Sequence, residues 1–272
     1  MKLKEYLKSK LTKKEYKVFP TSFDVVGDIA IFAEFPSALK EKEKVIAEAL
    51  MKLHKNIKVV CKKTKKYSGK YRTPKLQIIR GEKRKETMHI ENGIRLLLDV
   101  EKVYFSPRLG TERQRIANLV KPNENVLVMF SGVGPYTTQI AKMVKKVVAI
   151  EVNPVAHKYA LKNLELNKIK NATVFKGDVK KIVPKLKEKF DRIVMPAPKN
   201  AGGYLKEAFS VAKKGTIVHF YTFAREEEFD DVRKEILAQC KKLKRLCRII
   251  HIVKAGEYAP HIYRICIDFV VQ

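Results

Sequence analysis

The sequence is short of acids, of paired cysteines and of long apolar runs. Asp and Glu number 29 against 58 Lys and Arg, a formal net charge of +29. That imbalance points to a polyanion or an anionic membrane surface as partner; a lysine-rich solvated surface is the plainer alternative. Cys61, Cys240, Cys247 and Cys266 are scattered, with no CxxC pair, so reduced thiols and no metal site are expected. His54, His89, His157, His219, His251 and His261 show no ligand spacing either and are read as non-catalytic. No apolar stretch reaches the roughly 20 residues of a membrane span, and Met1-Lys-Leu-Lys-Glu5 has no signal-peptide core. A soluble, cytoplasmic protein without a membrane partner is expected. There is no internal repeat, no low-complexity tract and no helix-turn-helix or zinc-finger pattern, so groove reading of duplex DNA has no candidate element.

What is present is informative. Hydrophobic content of 45% over 272 residues supports a sizeable core, in one large domain or two smaller ones. The apolar strand Val126-Leu-Val-Met-Phe130 runs into Ser131-Gly132-Val-Gly134-Pro135-Tyr136, a helix pattern follows, and a second strand, Val147-Val-Ala-Ile150, ends in Glu151. Glycines let a backbone approach a ligand closely. Glu151 stands 19 residues after Gly132, the spacing at which a βαβ unit sets a carboxylate on a ribose hydroxyl pair. A dinucleotide fingerprint wants a further Gly or Ala where Thr137 stands, which argues against NAD. A pyrophosphate also asks for a bare helix N-terminus, and Pro135 stiffens and fills the loop, although it costs no hydrogen bond there. An adenosine ligand carrying an amino acid in place of phosphates fits better: S-adenosylmethionine. Two later strand ends agree. Ala172 to Gly177 leads into Asp178, whose carboxylate suits an adenine amine, and Phe190 to Met195 leads into Pro196-Ala-Pro198. In open α/β sheets ligands lie beyond the carboxyl ends of the strands. Ser131, Gly132, Gly134, Tyr136, Glu151, Asp178 and Pro196 are therefore the cofactor candidates. For Asp178 the alternative is an N-cap of a short helix, and for Glu151 a solvated strand end.

Basic residues concentrate in one segment. From Lys52 to Lys85 there are fourteen Lys and Arg against one acid, Glu82, with Tyr67 and Tyr71 interleaved. Cations reach phosphates and tyrosine rings stack on bases, so this segment is expected to bind nucleic acid, RNA before DNA.

The chain divides into a small basic α+β RNA-binding domain, residues 1–100, and a cofactor domain, residues 101–272. In the first, Leu3 to Leu11 and Ala38 to Leu53 have helical spacing. Asp24 to Phe35, Lys58 to Lys62 and Leu76 to Arg80 have strand patterns, and Thr87 to Asp99 is a hairpin about Asn92-Gly93. In the second, Arg248 to Val253 and Ile262 to Val270 are strands joined by a loop through Tyr258 to His261, hence antiparallel. The fold class expected is α/β: a seven-stranded, mostly parallel, Rossmann-like sheet of the class I methyltransferase type with an antiparallel C-terminal hairpin. Asn163 and Asn167 are placed on the surface.

Asp99-Val-Glu-Lys-Val-Tyr-Phe-Ser-Pro-Arg-Leu-Gly-Thr-Glu-Arg113, Phe130 to Tyr136 and Gly256-Glu-Tyr-Ala-Pro260 together resemble an archaeal and eukaryotic tRNA-modifying group. It holds the tRNA guanine-37 N1-methyltransferases and the wybutosine-pathway aminocarboxypropyltransferase. The likeness covers roughly Gly69 to the C-terminus. It implies tRNA as partner, through the anticodon stem-loop, with tRNA(Phe) the expected species. It also implies modification of the purine 3′ of the anticodon. The methyltransferases usually end their fourth strand in Asn-Leu-Pro, the amide holding the base edge. Here Val194-Met195-Pro196-Ala197-Pro198 stands instead, and a thioether does not replace an amide. The methyltransferases also tend to carry a further N-terminal domain, for which residues 1–99 have no room. Both departures favour aminocarboxypropyl transfer to C7 of 4-demethylwyosine. Guanine N1-methylation and a non-catalytic basic RNA-binding module are the alternatives. The resemblance makes Glu112 the candidate base, with an ion pair to Arg115 or Arg108 as its alternative role. It sets Arg108 and Arg72 near the substrate, with plain phosphate binding the alternative for Arg72. Tyr104 and Phe105 either wall the site or pack.

Overall fold

Apolar strands, alternating where one face is covered and unbroken where both are, and three-to-four spacing along helices set the main elements of the chain. The computed structural model describes residues 2–20, 22–33, 35–196 and 201–272, apart from the side chains of Lys66, Tyr67 and Ala201. Two units form: Met1–Glu91 with Arg95–Pro107, and Asn92–Ile94 with Arg108–Gln272.

The first unit comprises α1 (Leu3–Tyr6), α2 (Lys13–Lys17), β1 (Asp24–Val26), β2 (Ile29–Phe32), α3 (Glu43–Leu53), β3 (Val59–Ser68), β4 (Thr73–Gly81), β5 (Glu86–Glu91) and most of β6 (Ile94–Asp99). Strands β1 to β4 form one sheet in that order, with β2 and β3 parallel and the other pairs antiparallel. In α3, Ile46, Ala47, Ala49 and Leu50 are buried and join Leu3, Leu7, Ala30, Phe32 and Val60 in one core. The helix expected over Leu3 to Leu11 is shorter: it ends at Tyr6, with Leu7 at its C-cap and a turn after it. Thr12 opens a new helix by a reciprocal cap: Glu15 N–H donates to Thr12 Oγ1 at 3.3 Å, and Thr12 N–H donates to Glu15 Oε2 at 2.7 Å. The strand expected over Asp24 to Phe35 is likewise split at Gly27, whose φ is +56° and where a Cβ would overlap Thr87. Strands β5 and β6 turn at Asn92 (φ +47°) and Gly93 (φ +72°), the two positive angles an Asn-Gly hairpin turn requires.

The second unit alternates helix and strand: α4 (Gly110–Leu119), β7 (Asn125–Met129), α5 (Pro135–Ala141), β8 (Lys146–Glu151), α6 (Pro154–Leu166), β9 (Ala172–Lys176), α7 (Val179–Ile182), β10 (Phe190–Met195), α8 (Leu205–Ser210), β11 (Ala212–Ala224), α9 (Phe229–Lys242), β12 (Cys247–Ala259) and β13 (Ile262–Val271). The sheet has the order β12-β13-β11-β10-β7-β8-β9. β7 to β11 run parallel, and β13 runs antiparallel to both its neighbours. This is the mostly parallel seven-stranded sheet with an antiparallel hairpin. The hairpin is tighter than the expected loop through Tyr258 to His261: β12 continues to Ala259 and β13 resumes at Ile262.

Both faces of the sheet are covered, which explains the unbroken apolar runs in β7 and β8. Leu127, Met129, Val148 and Ile150 face a core with Val179, Leu205, Phe209 and Ile236 of α7, α8 and α9. Val126, Val128, Val147 and Ala149 face the other, with Ile116, Ile140, Ala160 and Leu164 of α4, α5 and α6. Each buried Val, Leu, Ile, Met or Phe side chain here contributes about 1.5–3 kcal/mol, and each Ala less. The chain passes from β7 outward to β8 and β9, then crosses back to β10 on the other side of β7. The loops after β7 and β10 therefore diverge, and the crevice of an open α/β sheet forms where they part. No helix among the described residues is long and apolar enough to cross a membrane.

Candidate active site

The cofactor candidates gather by topology. Ser131, Gly132 and Gly134 follow β7, Glu151 ends β8, Asp178 follows β9 and Pro196 follows β10, so parallel strands deliver all of them to one edge of the sheet. Positions 197–200, including Ala197 and Pro198, lie outside the described residues.

The loop after β7 is wound tightly. Phe130, Gly132 and Gly134 have φ of +65°, +59° and +85°; the first is uncommon for a side-chain-bearing residue and persists only where the surrounding contacts enforce it. Gly134 N–H donates to Ser131 O at 3.1 Å, and Ser131 Oγ pairs with Thr137 Oγ1 at 2.9 Å. Pro135 opens α5, where its missing N–H costs nothing. Asn163 Nδ2 donates to Val133 O at 2.9 Å from α6. Asn163 is fully buried, not on the surface as its polarity suggests, and Asn167 Nδ2 donates in turn to Asn163 O at 2.7 Å. The loop needs a donor for a carbonyl turned inward; that need is invisible in helical periodicity.

Glu151 links two loops. Its Oε2 accepts from Gly132 N–H and its Oε1 from Asn153 N–H, each at 2.6 Å. The residue is 8% exposed, and burial pushes its carboxyl above the usual carboxylate range against those backbone hydrogen bonds. A carboxylate has about four acceptor positions; with the Val152 N–H also bearing on it, acceptor capacity is left for a ligand hydroxyl. Thr138 Oγ1, buried in the first turn of α5, has no hydrogen-bond partner. Acceptors beside a bare glycine loop and an unsatisfied hydroxyl fit a polyhydroxylated ligand such as a nucleoside. Asp178 caps α7, its Oδ1 accepting from Lys180 N–H at 2.8 Å, which is the alternative role considered for it. Tyr136 is different: its ring is 4% exposed and its hydroxyl donates to Tyr221 OH at 3.1 Å, towards the core.

From Tyr136 a continuous polar chain enters the core. Tyr221 OH donates to Glu112 Oε1 at 2.5 Å, and Arg115 donates to both Glu112 oxygens at 2.8 Å. Arg115 also donates to Asp268 Oδ2 at 2.7 Å, and His219 Nδ1 lies 2.6 Å from Asp268 Oδ1. Arg192 Nη1 stands 2.7 Å from His219 Nε2 and its other nitrogens reach Glu124 at 2.7 and 2.9 Å. A guanidinium only donates, so Nε2 of His219 is the acceptor and its proton sits on Nδ1, bonded to Asp268. Burial holds His219 below its ordinary pKa, whereas His219 and Arg115 carry Asp268 well below the carboxylate range despite its burial. Burial raises the Tyr136 and Tyr221 hydroxyls, which stay protonated. The ion pair weighed for Glu112 is thus present, to Arg115. His219, Cys266 and Asp268 also come together, but Arg115 and Arg192 already bond the Asp and the His, so cations occupy that cluster. Sequence spacing gives no sign of it: His219 and Asp268 are 49 residues apart and meet only because β11 pairs with β13.

Arg108 is exposed on the turn Pro107–Leu109 that leads into α4. Arg72 belongs to the first unit, at the β3–β4 turn, with φ +50° and its guanidinium 5.5 Å from the Tyr104 ring centre. Phe105 is buried there, with its ring centre 5.0 Å from that of His89. In the basic segment Lys65, Lys70 and Lys75 are exposed, whereas Lys62 is tied to Glu43 at 2.6 Å. Phe35, Lys62, Lys63, Lys65 and Gln77 line a depression of about 410 Å³. The side chains of Lys66 and Tyr67 lie outside the described residues.

Known proteins share this arrangement. A family model described as the TRM5/TYW2 methyltransferase domain matches residues 87–250, and one for the TYW2 N-terminal domain matches residues 3–84. The chain is 42% identical over 257 residues to the tRNA (guanine(37)-N(1))-methyltransferase Trm5b of Pyrococcus abyssi, covering 94% of this chain and 76% of that protein. It is 30% identical over 279 residues to the tRNA(Phe) (4-demethylwyosine(37)-C(7)) aminocarboxypropyltransferase of Pyrococcus horikoshii, covering 98% and 95%. The crystal structure of P. horikoshii TYW2 in complex with MeSAdo superposes with a TM-score of 0.81 at 27% identity, over 99% of this chain and 97% of that one.

Proposed function

Because the chain belongs to the TRM5/TYW2 methyltransferase family, a group of S-adenosylmethionine-dependent tRNA-modifying enzymes, we propose that it transfers the 3-amino-3-carboxypropyl group of that cofactor to C7 of 4-demethylwyosine at position 37 of tRNA(Phe). The observation that carries this choice is the end of β10. Met195 is fully buried in the core, and Pro196 has neither a polar side chain nor an N–H. No amide therefore faces a guanine edge there among the described residues.

The bound cofactor supplies a sulfonium with three electrophilic carbons: attack at the methionine Cγ releases methylthioadenosine, and attack at the methyl leaves S-adenosylhomocysteine. Which carbon is used is a matter of positioning, and the residues of this chain supply that. Glu151 accepts from the ribose hydroxyls, Asp178 from the adenine amine through the oxygen that α7 leaves open, and Ser131, Gly132 and Gly134 bring backbone close. Tyr136 sets the start of α5, and Pro196 borders the base. Arg108 and Arg72 neutralise the substrate's phosphates or orient its base. Glu112 is the proposed acceptor of the C7 proton. Its bonds from Tyr221 and Arg115 also make it an anchor, and taking a proton requires one of them to open.

One observation favours methyl transfer as a second reading: identity is higher to Trm5b, 42% against 30%. Labelled cofactor separates the two on tRNA carrying either guanine or the tricyclic base. Carboxyl label on tRNA with methylthioadenosine as by-product supports the proposal. Methyl label on guanine at a comparable rate replaces it with N1-methylation, and label from neither leaves a non-catalytic RNA-binding protein.

A further inference from the structure

The tip of the β12–β13 hairpin presents an aromatic stack at the cofactor edge of the sheet. β11 runs parallel to β7 and β10, so its end at Phe223 and Ala224 lies on the edge where the glycine loop and Pro196 stand. Phe223 pairs across the ladder with Arg264, which in turn opposes Gly256 of β12. Gly256 approaches Leu109, beside Arg108: a Cβ there would lie 3.8 Å from Leu109 Cδ2. On this scaffold the Tyr258 ring centre is 4.2 Å from that of Phe223, the planes inclined by 37°, and the Arg264 guanidinium lies 5.5 Å from the Phe223 centre. Tyr258 is nevertheless 53% exposed. His261 is exposed at the turn; Lys254 belongs to the opposite face, over the Tyr263 ring and ion-paired with Glu226 at 2.7 Å. Core packing does not explain an exposed tyrosine whose ring rests, tilted, on a second ring that itself carries a cation.

We infer that Tyr258 is a stacking platform for an unpaired base of the tRNA anticodon loop, next to the base that is modified. Three features specify a nucleobase. Every base offers a π-face to a ring, Arg108, exposed beside the Leu109 that Gly256 approaches, suits an anionic backbone, and single-stranded loop bases are the ones proteins splay out and stack. The stack would hold the loop so that the target base enters the crevice beyond β7 and β10. The inference rests on tRNA being the substrate, as proposed above.

The test uses the full chain and a tRNA(Phe) anticodon stem-loop with 2-aminopurine beside position 37, titrated without cofactor. Wild type and Tyr258→Phe should quench the probe. Tyr258→Leu and Tyr258→Ala should not, and should bind RNA roughly tenfold more weakly, the worth of one stacked base. Their KM for tRNA should rise by a similar factor with kcat nearly unchanged and S-adenosylmethionine affinity intact. Tyr258 is exposed, so these variants should fold, which a thermal melt checks. Equal RNA affinity and equal quenching in Tyr258→Ala would overturn the platform alone. Quenching by a wild type that transfers no group would overturn the proposed reaction and leave the platform standing. Failure of the wild type to bind the stem-loop would overturn both.

Discussion

Glu151→Ala has two separable consequences. In the folded protein the carboxylate accepts from Gly132 N–H and Asn153 N–H, each at 2.6 Å, with Val152 N–H also bearing on it, and its remaining acceptor capacity is what is proposed for the ribose. A hydrogen bond to a charged acceptor contributes about 1.5–3 kcal/mol, so removing the carboxylate should weaken S-adenosylmethionine about 10- to 150-fold. It also leaves Gly132 N–H and Asn153 N–H without an acceptor, each costing up to about 1–3 kcal/mol unless water enters; at about 2–4 °C per kcal/mol the melting temperature should fall by several degrees. Glu151→Gln should not rescue both effects, because its amide oxygen satisfies one N–H while its NH₂ meets the other donor. There is a pH signature. Burial raises the carboxyl above its usual range. If the ionised form is the one that accepts the hydroxyls, cofactor affinity rises as pH rises through that raised value, and the dependence vanishes in Glu151→Ala. Calorimetric titration across pH, beside thermal melts, reads all of this. Unchanged affinity in a folded Glu151→Ala would refute the ribose assignment, and affinity that falls with rising pH would refute the protonation argument.

The buried charges, the exposed lysines and the loop anchor each give a further expectation. Asp268 is held low by His219 and Arg115, so its stabilisation is complete above the unfolded value near ~3.9 and is lost as pH falls through the depressed folded value. His219 is also depressed, so the unfolded chain takes up its proton first and stability already declines as pH drops below ~6.5. Denaturant titrations across pH should show both limbs; Asp268→Asn should flatten the acid one and cost about 1.5–3 kcal/mol, because Arg115 keeps Glu112 but loses its charge-assisted bond to Asp268, and an unchanged pH profile would exclude the pair. Replacing Lys65, Lys70 and Lys75 by Ala should lower the slope of log K for tRNA against log salt by up to ~0.7–0.9 for each phosphate left unneutralised, with cofactor affinity constant; an unaltered slope means these lysines do not meet phosphates. Asn163→Ala should cost about 1–3 kcal/mol, because the Val133 carbonyl is deprived of its donor, and should weaken cofactor binding; a variant unaltered in both would show that the loop holds itself.

Local pattern carries much of the architecture. The apolar runs of β7 and β8, the glycine loop between them and the Asn92-Gly93 turn are signals written within a few residues, and the structure forms each. Two kinds of feature escape. Where a steric need outweighs periodicity, as at Gly27, periodicity predicts a longer element than the one that forms. The buried partners of polar residues escape because they depend on strand order: Arg115 meets Asp268 from 153 positions away, and Asn163 looks like a solvent-facing helix residue until Val133 is placed beneath it. Cofactor candidates are readable because a βα turn concentrates them in sequence. The surroundings of Glu112 are not, because they are assembled from α4, β11 and β13.

The interior place of β13 bears on how the chain acquires its fold during synthesis. β13 follows every other strand in sequence, yet it lies between β11 and β12, and it carries the Asp268 to which Arg115 and His219 are bonded. Until that segment has left the ribosome, the side of β11 that β13 covers is open, Arg115 lacks one of its two carboxylates, and β12 has no neighbour to join the sheet. The first unit has its own core and shorter-range pairings, so it is able to form early. The second must wait, holding an exposed strand edge of the sort that recruits other chains. Contacts of such long sequence separation are slow to close, which makes the completion of this sheet the step at which a chaperone has the most to protect.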